Sequence, residues 1–335
     1  NNINRCCEMK NFLLTILFLL MGTSLLADPS VIQTLTSGVA GVNSIREEKE
    51  SVVCVHAFLR SYGSLKPIGR VLEKENYDVF IWNYETRKFT LEKHAEHLVR
   101  LLNKIAELKP GIPINFVTHS VGGVIVRVAL ALAHPDCPEE AKKGKAVLMA
   151  PPNAGSTLAR RYSRSSLVQF VFGRKLGMQL LTYSPEHMLN IAKMPSSVDV
   201  LVLSGTKKSK FLLFQLEEDN DGKVCVTETR LDTPHQNYII DANHTYIITN
   251  KTSLFLMREF LRNGSRSSAL TQVPEEIEAS IQQSPKAKVN KEKSKDIYVI
   301  HCLGAHPYSL YGFPKSRTSP NENSRKVLEG QEYKK

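Results

Sequence analysis

Ile114-Asn-Phe-Val-Thr-His-Ser-Val-Gly-Gly123 runs from an apolar, β-branched segment directly into a serine and two glycines, and apolar residues resume with Val124-Ile-Val126. The pattern predicts a buried strand, a sharp turn, and a helix over 121–133. A serine hydroxyl is a poor nucleophile unless a base takes its proton, and it must also project from the backbone into a cleft. A strand-to-helix elbow achieves that projection but crowds the backbone, so small residues are needed beside the serine. Gly122 and Gly123 supply them. The helix that follows aims its first N–H groups at developing negative charge. Ser120 is therefore the candidate nucleophile. Serine also caps helices routinely, and the motif by itself does not separate the two roles.

On both sides of the elbow the chain repeats short apolar runs, at 52–55, 79–82, 146–149 and 200–203. Runs that are apolar on consecutive positions suit strands buried on both faces of a parallel sheet. Between them, 90–108 places Leu91, Leu98, Leu102 and Ile105 on one stripe and then meets Pro110-Gly111, which predicts an amphipathic helix with a stop signal. Residues 253–261 predict another. Strand and helix in alternation imply an α/β fold, with a mostly parallel central sheet and helices on both faces. His94 and His97 lie i, i+3 on the first of these helices without a third ligand, so they are expected on a solvated face and no metal site is expected. No cofactor is expected either. Cys54, inside Ser51-Val-Val-Cys-Val-His56, reads as a small core hydrophobe.

The 335 residues, 42% hydrophobic and 23% charged, allow one or two domains and exclude wholesale disorder. Residues 9–27 have the layout of a secretory signal: Met9-Lys10, an apolar middle over 12–21, and small residues ending at Ala27. The 16 residues from Phe12 to Ala27 fall short of the roughly 20 that cross a bilayer. Export is therefore expected, to a secreted, periplasmic or membrane-associated location, with residues 1–8 upstream of the start-like Met9. Removing the signal leaves Cys54, Cys137, Cys225 and Cys302, widely spaced, so no disulfide framework is expected. Residues 28–50 read as a polar leader. The 44 Lys+Arg against 33 Asp+Glu give +11, concentrated partly in a basic tail over 264–335 that is expected to be mostly disordered. Its lysine-rich run at 286–295 reads first as a simple solvated tail, with peripheral contact with an anionic membrane surface as the alternative. Nucleic acid is not expected as a partner, and oligomeric state is not legible.

If the sheet is of the α/β-hydrolase type, a base must lie downstream of Ser120, in the chain order nucleophile, acid, histidine. Asp221, in Asp219-Asn-Asp-Gly-Lys-Val224, and His244, in Asp241-Ala-Asn-His-Thr245, fit that order, and both fall in loops that can meet beyond the carboxyl ends of the strands. An isolated Asp-Gly is more often only a tight turn. A negatively charged tetrahedral intermediate also needs donors, and the backbone N–H groups of Phe58 and Val121 are the candidates for that oxyanion hole. His119, adjacent to Ser120 along the strand, points to the other face and is expected to be structural.

Four stretches together resemble a known family: Val52-Val-Cys-Val-His-Ala-Phe58, Phe116-Val-Thr-His-Ser-Val-Gly-Gly123, Met149-Ala-Pro-Pro-Asn-Ala-Gly-Ser156, and the pair Asn220-Asp-Gly-Lys-Val224 with Asn243-His-Thr245. They are similar to the lipase-like branch of the α/β-hydrolases, including bacterial triacylglycerol lipases and GPI-inositol-deacylase-like serine esterases. The resemblance covers residues 51–263 and implies an α/β-hydrolase domain there. It also implies Ser120 as nucleophile, Asp221 as orienting acid and His244 as general base in a hydrolase of carboxylic esters, with lipid acyl esters favoured. Two positions depart from the family: Ala57 where His-Gly is usual, and Thr118 where glycine is often found. The insertion at 151–197, with Leu167, Val168, Phe170, Val171 and Phe172, reads either as a small helical lid lining an acyl-chain cleft or as a helix packed on the sheet. The triad does not choose the acyl acceptor, so an acyltransferase or thioesterase is an alternative, as is a catalytically silent binding protein on the same fold.

Overall fold

The computed structural model describes residues 49–131, 136–208, 215–266 and 297–301, all within the unit Glu47–Gly312. The signal-like segment 9–27, nearly all of the leader 28–50, and the parts of the tail at 267–296 and 302–335 lie outside the described residues.

Seven strands form the central sheet: β1 (Ser51–Val55), β2 (Asp78–Asn83), β3 (Ile114–His119), β4 (Lys145–Met149), β5 (Asp199–Gly205), β6 (Gln236–Ile240) and β7 (Ile297–His301). Their order is β6-β5-β4-β3-β1-β2-β7, and every pairing is parallel. Parallel neighbours cannot be joined by hairpins; except from β5 to β6, where the described residues hold only the 3-10 turn Val226–Thr229, the chain crosses over through α-helices. These are α1 (Lys66–Lys74), α2 (Leu91–Leu108), α3 (Val121–Leu130), α4 (Glu139–Lys142), α5 (Thr157–Arg161), α6 (Ser166–Phe172), α7 (Leu176–Thr182), α8 (Pro185–Asn190) and α9 (Lys251–Asn263). The expected α/β architecture is thus the observed one.

Local signals set the helix ends. Thr90 caps α2 by accepting from the Lys93 N–H, and Asn250 caps α9 by accepting from Thr252 and Ser253. Side chains alternate across each strand, so β1 sends Val52 and Cys54 to one face of the sheet. There they join Ile68 and Leu72 of α1 and Leu256 and Phe260 of α9 in one apolar cluster. Burial pushes the Cys54 thiol far up, consistent with an inert core hydrophobe. The helices α2 and α3 pack against each other. Among the described residues no helix is long and apolar enough to cross a membrane.

Three features differ from the sequence reading. His94 and His97 are buried, not on a solvated face. The helical period explains the first: residue 94 falls between Leu91 and Leu98 on the apolar stripe, where its ring meets Tyr84 edge-on at 4.9 Å. Strand β6, half-exposed with polar and apolar residues mixed, carried no continuous apolar signal. Strand β7 comes from inside the segment expected to be a tail: its run Ile297-Tyr-Val-Ile-His301 pairs with β2 in the register Val79↔Ile297. The insertion 151–197 is built as the short helices α5 to α8.

Candidate active site

Ser120 lies between β3 and α3 with φ +55° and ψ −128°, in the left-handed half of conformational space that a side chain normally avoids. Such a residue costs roughly 1–3 kcal/mol and persists only where its surroundings hold it. Those surroundings are visible. The Ser120 N–H donates to the Met149 carbonyl at 2.8 Å, and a Cβ at Gly122 would stand 2.4 Å from the Val55 carbonyl oxygen. Only glycine lets α3 begin this close to the end of β1. The Ser120 hydroxyl makes no capping bond to α3, so the helix-cap role does not apply.

Asp221 follows β5 in a tight turn, where its N–H donates to the Val224 carbonyl and its Oδ1 accepts from the Lys223 and Val224 N–H groups, at 2.9 Å each. The Asp-Gly turn is real, and it frees Oδ2 to point elsewhere. His244 lies beyond β6. Gly205 at the end of β5 draws the two loops together, since a Cβ there would meet Asp221 Cβ at 2.7 Å and the Ala242 oxygen at 2.5 Å. The His244 N–H then donates to the Asp221 carbonyl at 2.9 Å.

The side chains complete the junction. His244 Nδ1 lies 2.6 Å from Asp221 Oδ2, and its Nε2 lies 3.0 Å from Ser120 Oγ. With the carboxylate accepting the Nδ1 proton, the Nε2 lone pair faces the hydroxyl. All three residues are buried, at 8% (Ser120), 2% (Asp221) and 6% (His244) relative exposure, so the chain of bonds is shielded from bulk water.

His119 holds the far side of this junction. Its Nε2 donates to the His244 backbone carbonyl at 2.7 Å, and the two rings lie 5.0 Å apart. Burial first, and the His244 ring second, hold His119 well below the usual imidazole range, so it is a neutral donor. Sequence spacing carried no signal for this contact between residues 125 positions apart.

Phe58 stands in the turn after β1, and Val121 is the first residue of α3. The Gly122 approach to Val55 and His56 brings these two segments into contact. The turn is pinned by His56, whose Nδ1 donates to the Ala57 carbonyl at 3.0 Å while its ring stacks on Tyr84 at 4.3 Å. The Tyr84 hydroxyl donates to the His56 carbonyl at 2.8 Å. Ala57 is buried in this turn, and Thr118, also buried, donates its hydroxyl to the Val147 carbonyl at 3.4 Å. Behind α3, Arg127 is wholly buried and its guanidinium donates to the carbonyls of Asn153, after β4, and of Met188, in α8. Burial lowers its pKa to about 10. Among the described residues no group of three or more His, Cys, Asp or Glu could hold a metal ion.

Comparison with known proteins finds solved structures of similar fold. The chain is similar to the lipase BlEst2 of Bacillus licheniformis in its mature form, with a TM-score of 0.52 and 18% identity over 67% of this chain and 95% of that one. It is also similar to phospholipase PlaB from Legionella pneumophila, with a TM-score of 0.53 and 17% identity over 70% of this chain and 63% of that one. No family model and no curated protein matches the sequence. At such identities the likeness is one of fold alone, the α/β-hydrolase fold with its all-parallel central sheet.

Proposed function

We propose that this protein is a serine hydrolase of carboxylic esters, working through an acyl-enzyme, with lipid acyl esters as the favoured substrates. One observation carries the proposal: an imidazole bridging a serine hydroxyl at 3.0 Å and a buried carboxylate at 2.6 Å. In this mechanism His244 Nε2 takes the Ser120 proton as Oγ attacks the acyl carbonyl, and Asp221 holds the imidazole in the required tautomer. The N–H groups of Phe58 and Val121 receive the oxyanion, and His244 returns the proton to the leaving alcohol. A water activated by the same imidazole then releases the acyl group. The backbone strain at Ser120 supports the assignment, because strained residues of this kind cluster at reactive positions. The lipase and phospholipase folds named above support the substrate class, and the apolar 151–197 insertion is proposed to line the acyl-chain cleft.

The test is labelling with a fluorophosphonate probe together with turnover of an ester panel from short to long acyl chains. Labelling at Ser120 that Ser120→Ala abolishes, with turnover rising toward longer chains, is the expected result. A folded protein that resists the probe and hydrolyses none of the panel would be a silent binding protein of the same fold.

A further inference from the structure

The excursion between β4 and β5, whose inner side is proposed above to line the acyl-chain cleft, also presents an outward surface that the proposed ester chemistry does not use. From Ala150 to Pro185 the sequence contains Arg160, Arg161, Arg164, Arg174 and Lys175 and no Asp or Glu. Within it, α6 buries none of its residues. Leu167 and Phe170, i and i+3 on one stripe, are 39% and 75% exposed, while Phe172 turns the other way and meets the Phe58 ring at 5.1 Å.

A helix of two turns does not hold itself together, so external contacts must fix it. The Arg87 guanidinium donates to the Phe170 carbonyl at 2.8 Å, the Leu176 N–H donates to the Phe89 carbonyl at 3.0 Å, and Gln179 Oε1 accepts from the Leu91 N–H at 2.7 Å. The apolar pair is thus mounted facing solvent. Beside it runs a groove of about 780 Å³ lined by Phe170 with Arg87, Lys88, Arg174 and Lys175. Its carboxylate, Glu85, is paired with Lys88 at 2.7 Å. All four cations are exposed, as are Arg161 and Arg164 on the approach to α6.

We propose that α6 and this cationic groove dock the protein on an anionic lipid bilayer. Charge complementarity selects the occupant: an aromatic and a leucine enter the boundary between head groups and acyl chains while guanidinium and ammonium groups meet the phosphates. The docking itself does not depend on the ester chemistry. Only its consequence rests on the function proposed above: the Phe58–Phe172 contact places the docked helix beside the turn carrying Phe58, so the substrates would be esters presented at an anionic lipid surface.

The experiment is co-sedimentation of the full chain with phosphatidylcholine vesicles and with vesicles of phosphatidylcholine and phosphatidylglycerol. Binding is expected to the second alone and to weaken with added salt. Charge reversal at two positions, Arg174→Glu with Lys175→Glu, should weaken it at least about tenfold, since each cation near the surface contributes several-fold. Phe170→Ser should weaken it at unchanged salt dependence, and Lys251→Glu, exposed on α9 and outside the groove lining, should leave it intact. These positions are exposed, and unchanged thermal unfolding would certify the fold. Equal binding to both vesicles, no binding to either, binding indifferent to the α6 and groove variants, or a dimer dissolved by Phe170→Ser would each overturn the proposal. Hydrolysis of a soluble short-chain ester, read on the same variants, reports the active site separately: its absence alongside intact vesicle binding would count against the ester chemistry and not against docking.

Discussion

Ser120 holds its strained backbone because Gly122 admits the β1 carbonyls and the Ser120 N–H reaches Met149. Gly122→Ala would drive a methyl into the Val55 oxygen, so thermal unfolding should show a loss of about 1–3 kcal/mol, with labelling at Ser120 reduced. Asp221→Asn keeps the shape of the turn but supplies the wrong partner for Nδ1–H, and ester turnover should fall on the order of 10⁴-fold at nearly unchanged circular dichroism. His119 acts through another residue, by fixing the His244 carbonyl. His119→Leu should lower kcat by about tenfold with KM little changed, because loosened positioning affects the reacting geometry more than binding. A variant with wild-type kcat would show that the His119 bond positions nothing. Ser120, Asp221 and His244 were legible as an order along the chain, since loops after successive strands share one rim of a parallel sheet. The His119 bond was not, because which face meets which loop is decided by packing.

The strongest elements were those whose burial is written in every residue. Strands β1 to β5 and the helices α2, α3 and α9 show as consecutive apolar runs or as a 3.6-residue stripe. The edge strand β6 lacks that signature, since its residues alternate between half-buried and exposed. So β6 went unread, and β7 was recognisable only as the brief run at 297–300 inside a charged stretch. Arg127 shows a different limit. Arginine in a helix normally marks the wet face, yet here it is buried and ties α3 to the Asn153 turn and to α8. Arg127→Ala would leave a cavity and two carbonyls without their donor, so chemical denaturation should show a loss of about 2–4 kcal/mol. A loss below about 0.5 kcal/mol would mean that the clamp contributes nothing beyond the cost of burying its charge.

Across the whole molecule, the buried histidines set a pH response. Desolvation pushes His56 and His94 each down to about 4, with the Ala57 carbonyl opposing the shift at His56 and neighbouring His97 adding to it at His94. His97 and His119 are lowered by burial as well. In the unfolded chain these rings titrate near about 6.5, so between about pH 6.5 and about pH 4 the unfolded state binds more protons than the folded one. Stability therefore rises with pH and is lost as pH falls through that window. The urea midpoint should drop between about pH 7.5 and about pH 5 at constant slope, and a midpoint that stays level would contradict the neutral, buried state of these rings. The sequence by itself determined the alternation of strand and helix, the burial of the sheet on both faces, and the serine elbow, because periodicity and small residues act locally. Tertiary structure alone decided that Gly205 would draw the Asp221 and His244 loops into contact, that Arg127 would lie inside, and that a distant run would close the sheet as β7. Those outcomes depend on close approach between segments far apart in the chain, a distance that no local pattern encodes.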